Sequence, residues 1–292
     1  MKGGMRGRRP ARPPDALAAD KRFGKYKKEE EKAVRKPDAE ESETLKRLRE
    51  AWEECRTKFR GISQHHAAKY AMKTECLPVV SRISCTPEDL EKFSLLLGDL
   101  QGQENFRQHA GVFLSALVMH LSRCRRDDSY IIHTAHLDPV DFIGIQNAAM
   151  LRVVGSVGED LGGEMALGRI TIEGNTGHKV GYQLHGGEIV VMGDVESYVG
   201  QQMWKGRIHV HGNVLFEIGT EMGNGEIIIE KDVFANVGHS MRGGTITIKG
   251  NAGMDVGNGM RNGVIHLEGD FKNIGTVKGG KIYHKGKLIV DK

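Results

Sequence analysis

At 292 residues and 39% apolar content the chain can fill one large or two ordinary globular domains, which excludes a wholly disordered or fibrous protein. Its 39 glycines, about 13% against the usual roughly 7%, lack the every-third-residue period of collagen and so need a local explanation. The net charge of +4 conceals an asymmetry, because residues 1 to 36 hold 13 Lys/Arg against 5 Asp/Glu and leave a mildly acidic body behind a basic leader.

The leader, 1–38, is Arg/Lys/Pro-rich, has no apolar periodicity and carries only Phe23 and Tyr26 as aromatics. It reads as a solvated, disordered tail and not as a nucleic-acid-binding one. No apolar run reaches the roughly 18 residues of a membrane helix, and no signal-peptide core follows the basic start. The expected location is the cytoplasm, with no membrane partner. Cys55, Cys76, Cys85 and Cys124 match neither a zinc ribbon nor a redox pair in spacing and read as reduced thiols.

A helical region is predicted over 39–128. Leu45, Leu48, Trp52, Cys55 and Phe59 recur at alternating spacings of three and four, the stripe of an amphipathic helix that Gly61 would end. Thr86, Pro87 and Asp89 supply an N-cap, a first-turn proline and an acidic first turn for a helix carrying Leu90, Phe93 and Leu97. A longer helix over 103–125 would bury Phe106, Ala110, Phe113, Leu117, Leu121 and Cys124 along one face. After Asp127-Asp128, short strands are predicted at Tyr130–His133 and Phe142–Ile145.

From there the chain repeats with a period of 19. A first glycine recurs at Gly162, Gly181, Gly200, Gly219, Gly238 and Gly257, then at Gly275 after one deletion. A second stands six later at Gly168, Gly187, Gly206, Gly225, Gly244 and Gly263, and five later at Gly280. A third lies six beyond at Gly174, Gly193, Gly212, Gly250 and Gly269, with Lys231 replacing it once. Between them Ile170, Ile189, Ile208, Ile227, Ile246 and Ile265 keep register, as do the Val/Ile/Leu positions two residues on and the mostly Met positions after the first glycine.

Alternate residues of a strand face the same way, so Ile-x-Ile turns both apolar side chains inward. The glycines mark corners that need positive φ or close approach. Stacked rungs of this kind give a mainly β fold, a parallel β-helix of about seven to eight coils over 129–292. The segment FIGIQNAAMLRVVGSVGEDLG supplies a weaker first rung, with Leu151 and Val153 inward.

Outward positions form columns. Arg169, Glu188, Arg207 and Glu226 alternate in charge on adjacent rungs, as an ion-pair ladder would. Asn175, Asp194, Asn213, Asp232, Asn251 and Asp270 make a second column, which lacks the multidentate loop of a calcium site. His209 and His211 share an outer strand face, with Glu230 beside His211 on the next rung. They are the candidate metal ligands, but a lone exposed His-x-His is more often plain surface, and no metal is assigned. His65-His66 and His133/His136 are treated alike. No nucleophile, base and orienting group stand together, so no catalytic and no cofactor-binding residue is assigned. Tyr182, Tyr198, Trp204 and Phe216 are the candidate contact patch.

The unit G-x-x-M-x-x-G-x-I-x-V-x-G-[N/D], as in VGHSMRGGTITIKGNAGMDVG, resembles the GXGXG repeat shared by the β-helical subunit of formylmethanofuran dehydrogenase and the C-terminal domain of the glutamate synthase large subunit. The likeness covers about 143–292. It implies a right-handed parallel β-helix that is non-catalytic itself and docks on catalytic protein partners, which would carry molybdopterin, iron-sulfur or flavin groups. Short Met-containing coils with GNAG look more like the former, and IQNAAMLRVVGSVGEDLGGEM somewhat like the start of the latter. The function expected is a scaffold subunit of an oxidoreductase complex of the C1/formyl-transfer kind. The alternatives are a stand-alone glutamate synthase GXGXG subunit and a self-assembling (homo-oligomeric) or carbohydrate-binding β-helix.

Overall fold

The computed structural model describes residues 42–59, 62, 64–124 and 129–292. The basic leader 1–38, the helix stop at Gly61 and the Asp127-Asp128 transition lie outside the described residues, as does the Cys124 side chain. The described helices and strands belong to one compact unit.

Helix α1 (Glu43–Lys58) begins where the Ser42 hydroxyl accepts from the Leu45 N–H, and it buries Leu45, Leu48, Trp52 and Cys55 as the stripe predicts. A second helical stretch was not predicted. It runs from α2 (His65–Tyr70) through a π-helical segment, Ala71–Cys76, into α3 (Leu77–Val80). Its apolar residues, Ala68, Ala71, Met72, Cys76, Val79 and Val80, are buried, but the wide π turn breaks the 3.6-residue period by which a helix is recognised. Helix α4 (Pro87–Leu96) opens on a reciprocal capping box between Thr86 and Asp89.

Helix α5 (Phe106–Cys124) departs from the one-sided burial expected of it. Residues from Ala110 to Val118 are buried all round, because the helix lies between the other helices and the first coil of the solenoid. On one side Trp52 meets Phe106 and Phe113 edge-on at 6.0 and 5.6 Å, its indole N–H donating to Gln103. On the other, Ser115 Oγ donates to the Phe142 carbonyl at 3.0 Å and accepts from the Gly144 N–H at 2.8 Å. A Cβ on Gly111 would stand 1.6 Å from the Asp141 carbonyl oxygen, so the helix and the coil touch backbone to backbone.

The solenoid makes about eight turns over 129–284. One side is a long sheet of β1 (Ser129–His133), β2 (Met150–Val154), β3 (Arg169–Ile172), β5 (Glu188–Val191), β7 (Arg207–Val210), β9 (Glu226–Ile229), β11 (Thr245–Ile248), β13 (Val264–Leu267) and β14 (Lys281–His284). These neighbours are all parallel. A second, shorter sheet runs in the order β12 (Ala252–Met254), β10 (Val233–Val237), β8 (Val214–Ile218), β6 (Val195–Val199), β4 (Thr176–His178). Register follows the 19-residue period: Ile189, Ile208, Ile227, Ile246 and Ile265 stand in one column, all fully buried. The Met column is equally buried, and one core cluster runs from the helices into the coils.

The predicted strand Phe142–Ile145 is instead the first corner, with φ of 64° at Phe142 and 72° at Gly144. The corners also differ from expectation in which residues are left-handed. At Gly200 φ is +66° and a Cβ would meet Ile227 Cδ1 at 2.5 Å, so both conformation and space require glycine. The third glycines Gly174, Gly193, Gly212, Gly250 and Gly269 have no positive φ; at Gly212 a Cβ would fall 2.2 Å from the Gly193 carbonyl oxygen, and close stacking is the reason. Two further left-handed residues flank each first glycine from Gly162 to Gly257 and are mostly not glycine, such as Tyr198 (φ 60°) and Gln202 (φ 55°) around Gly200. An L-residue there costs about 1–2 kcal/mol. Rung-to-rung hydrogen bonds offset it, as when the Gln202 N–H donates to the Thr220 carbonyl at 2.9 Å.

Strand β15 (Lys287–Asp291) folds back antiparallel on β14 through Lys285 (φ 49°) and Gly286 (φ 76°), the two-residue turn that suits strand twist. Among the described residues no helix is long and apolar enough to cross a membrane.

Candidate functional site

Strand alternation puts His209 on the outer face of the long sheet, and His211, just past the end of β7, follows it on that face. Their rings lie 4.2 Å apart and 34° from parallel. Glu230 occupies the His211 position one rung on, yet its carboxylate reaches diagonally to His209, with Oε1 2.6 Å from Nε2. One ligand atom from each of the three lies within 4.8 Å of the others. Lys249, a rung further, donates to the same Glu230 oxygen at 3.0 Å, and first Lys249 and then His209 hold that carboxyl below its usual range. Burial, and then the His209 charge, push His211 down. His209 is flanked in register by Val190, which is buried despite facing outward, and by half-buried Ile228. The cluster therefore sits on rigid strands in an apolar surround.

A second polar cluster, which sequence reasoning missed, joins the helices to the solenoid. His65, at the start of α2, is buried, its Nδ1 2.9 Å from Asp160 Oδ2 and its Nε2 3.2 Å from Glu164 Oε1. Gly163 makes this approach possible, since a Cβ there would stand 2.3 Å from His65 Cε1. Lys69, one helical turn on, donates to both Glu164 oxygens at 2.8 and 2.9 Å, and Gln146 donates to one of them at 2.9 Å. Burial would lower the His65 pKa, but the hydrogen bond and charge of Asp160, followed by Glu164, raise it overall. Burial would likewise raise Glu164, but Lys69 and Gln146 outweigh it and hold the carboxyl at about 2. Asp141 makes a parallel join, accepting from Arg107 and Gln108 on α5 at 3.0 Å each. The doublet His65-His66 was legible, but Asp160 and Glu164 lie about 100 residues away in positions that other coils fill with Lys179, Tyr198, Gln183 or Gln202. Nothing in the sequence marks them as partners.

The remaining candidates fall elsewhere. His133 pairs with Glu91 on α4 at 2.9 Å, and His136 packs beside Gly98 with its pKa lowered, chiefly by burial. Tyr182 stands edge-on to His65 at 5.2 Å, within the junction. Phe216 is on the short sheet, edge-on to Phe234 at 5.2 Å, and Tyr198 is a left-handed residue near the end of β6. Trp204 is different: it is 61% exposed on the ridge before the second glycine and lies against Gly223, where a Cβ would meet the ring at 3.4 Å. Leu167, at the adjacent Lys205 position two rungs earlier in the same stretch between first and second glycines, is 66% exposed.

The outward columns are structural. Arg169 pairs with Glu188 at 3.4 Å and Arg207 with Glu226 at 3.1 Å. In the Asn/Asp column each side chain accepts the backbone N–H of its successor, for example Asp194 from Asn213 at 2.6 Å and Asn213 from Asp232 at 3.2 Å. The oxygens are thus committed to holding rungs in register. Alternating Asn with Asp lets Asn213 Nδ2 donate to Asp194 at 3.0 Å and keeps carboxylates off adjacent rungs. No protein-family model matches the sequence, and no curated protein matches it.

Proposed function

We propose that the chain is a non-catalytic scaffold subunit that presents the side of its solenoid to the catalytic subunits of an oxidoreductase complex, in the manner of the β-helical subunit of formylmethanofuran dehydrogenase. The single observation that carries this reading is the ridge bearing Leu167 and Trp204, large apolar side chains held out on a rigid rod. An indole 61% exposed and braced by a glycine is suited to fill a partner's pocket, the usual form of an interface anchor. The GXGXG-like coils and the inward columns, filled solidly by Ile, Val and Met, agree with a body that supports chemistry carried elsewhere.

The chain, tagged and expressed in its native host, should co-purify with subunits that mass spectrometry identifies as carrying molybdopterin, iron-sulfur or flavin groups. Trp204→Ala should weaken that association by a factor of about 30 or more, as loss of a central anchor does. Isolation of the wild-type chain as a lone monomer would sink the proposal. A flavin-bearing glutamate-forming partner would redirect it to the glutamate synthase alternative. A second reading, self-association, draws on β15, an edge strand exposing Leu288 and Ile289. Light scattering over a concentration series separates the two, since only self-association raises the mass of the purified chain.

A further inference from the structure

The geometry points to a divalent-cation site, of the borderline class that zinc represents, on the outer face of the long sheet, built from His209, His211 and Glu230. Two imidazole nitrogens and one carboxylate oxygen are a donor set that suits zinc. The three groups come from adjacent rungs of a rigid parallel sheet, a better-defined platform than a loop. Their ligand atoms are already gathered within 4.8 Å. Around a tetrahedral ion with bonds of about 2.0–2.1 Å, ligand atoms stand roughly 3.3–3.5 Å apart. His209 Nε2 and Glu230 Oε1 are closer than that at 2.6 Å and must part slightly to admit the ion, and the His211 ring beside them is half-exposed.

In the metal-free arrangement His209 Nε2 lies in hydrogen-bond contact with Glu230 Oε1, and the Lys249 ammonium donates to the same carboxylate oxygen. Coordination replaces both: the imidazole proton moves to Nδ1, the Nε2 lone pair goes to the cation, and Lys249 swings into water. Lys249 is 43% exposed on a flexible stem, so its departure meets no steric obstacle. Val190 and Ile228, in register with His209 on either side, shield the flanks of its ring from water. Three protein ligands leave the outward coordination position open to water, as on an accessible zinc.

The site is tested on the untagged full chain by titration calorimetry with Zn²⁺, and by Co²⁺ substitution with absorption spectra. The expected result is one equivalent of Zn²⁺, with Co²⁺ d–d bands and no thiolate charge-transfer band. His209→Asn and His211→Asn should each weaken binding by about 100-fold or more, above the roughly 10–100-fold effect of losing a group that merely supports a ligand. Glu230→Gln should weaken it as well. Lys249→Met, which removes the competing ammonium, should tighten binding by about two- to five-fold, the range of an exposed ion pair. All four positions face outward, and unchanged far-UV circular dichroism establishes that the variants fold. Absence of a bound equivalent overturns the proposal. An equivalent that survives either histidine substitution, or that shows thiolate charge transfer, places the metal on other residues and overturns it equally.

Discussion

The regular coils and the helix–solenoid junction hold themselves together by opposite means. In the coils the commonest side-chain polar contacts join residues 19 apart, are at least partly exposed and recur along the stack, as in Arg207 with Glu226 or Asn213 with Asp194. At the junction the contacts occur once, are buried or partly buried, and join residues from 27 to 99 apart, as Ser115 does with Phe142 and His65 with Glu164. Repetition lets each coil contact be weak, because register is specified many times over. A junction made once has no such redundancy and depends on buried charge that must stay paired.

The contrast is broken most severely at His65. His65→Ala leaves Asp160 as a buried carboxylate without its partner and should cost about 3–5 kcal/mol, seen as a lowered urea midpoint. Hydrogen exchange should speed up in α2 and α5 and stay slow in β7 to β11. A core substitution in mid-stack, Ile227→Ala, should cost about 2–5 kcal/mol, with the exchange pattern reversed.

The junction should also be sensitive to pH in a defined window. His65 has a raised pKa in the folded state, so its contribution is fully present below about pH 6.5 and is lost as pH rises through the folded value. Glu164 is lowered to about 2, so its contribution is present above about pH 4.5 and is lost as pH falls towards 2. The stabilisation that His65→Gln removes should therefore be greatest between about pH 4.5 and 6.5 and smaller at about pH 8.5. His109 on α5, held at about 4 by burial and then by Arg56, acts oppositely, losing its contribution as pH falls from 6.5 towards 4. Comparing variant with wild type at each pH cancels that background. The smallest effect belongs to the ladder: Arg207→Ala removes a pair whose side chains are each 46% exposed and should cost under about 1 kcal/mol, less still at high salt.

Legibility followed the same division. The coil count, the inward columns and the Asn/Asp and Arg/Glu ladders were readable because a 19-residue period states its contacts in one dimension. Glu230 was placed correctly one rung beyond His211, but its diagonal reach to His209 depends on side-chain torsions that no spacing encodes. The four aromatics offered as one patch occupy different positions of the coil, and Trp204 is the large apolar residue among them that stands exposed. The left-handed residues beside each first glycine, Tyr198 and Gln202 among them, were hidden because stacking, and not residue type, stabilises them.

By itself the sequence determined the parallel solenoid, its strand register and the side of each strand that faces inward, since an apolar residue recurring at fixed phase has only one way to be buried on every rung. Only the tertiary structure decided how the solenoid is closed and joined. Gly111 meets Asp141 and His65 meets Asp160 across stretches of chain that share no period, so these contacts follow from shape and charge in three dimensions.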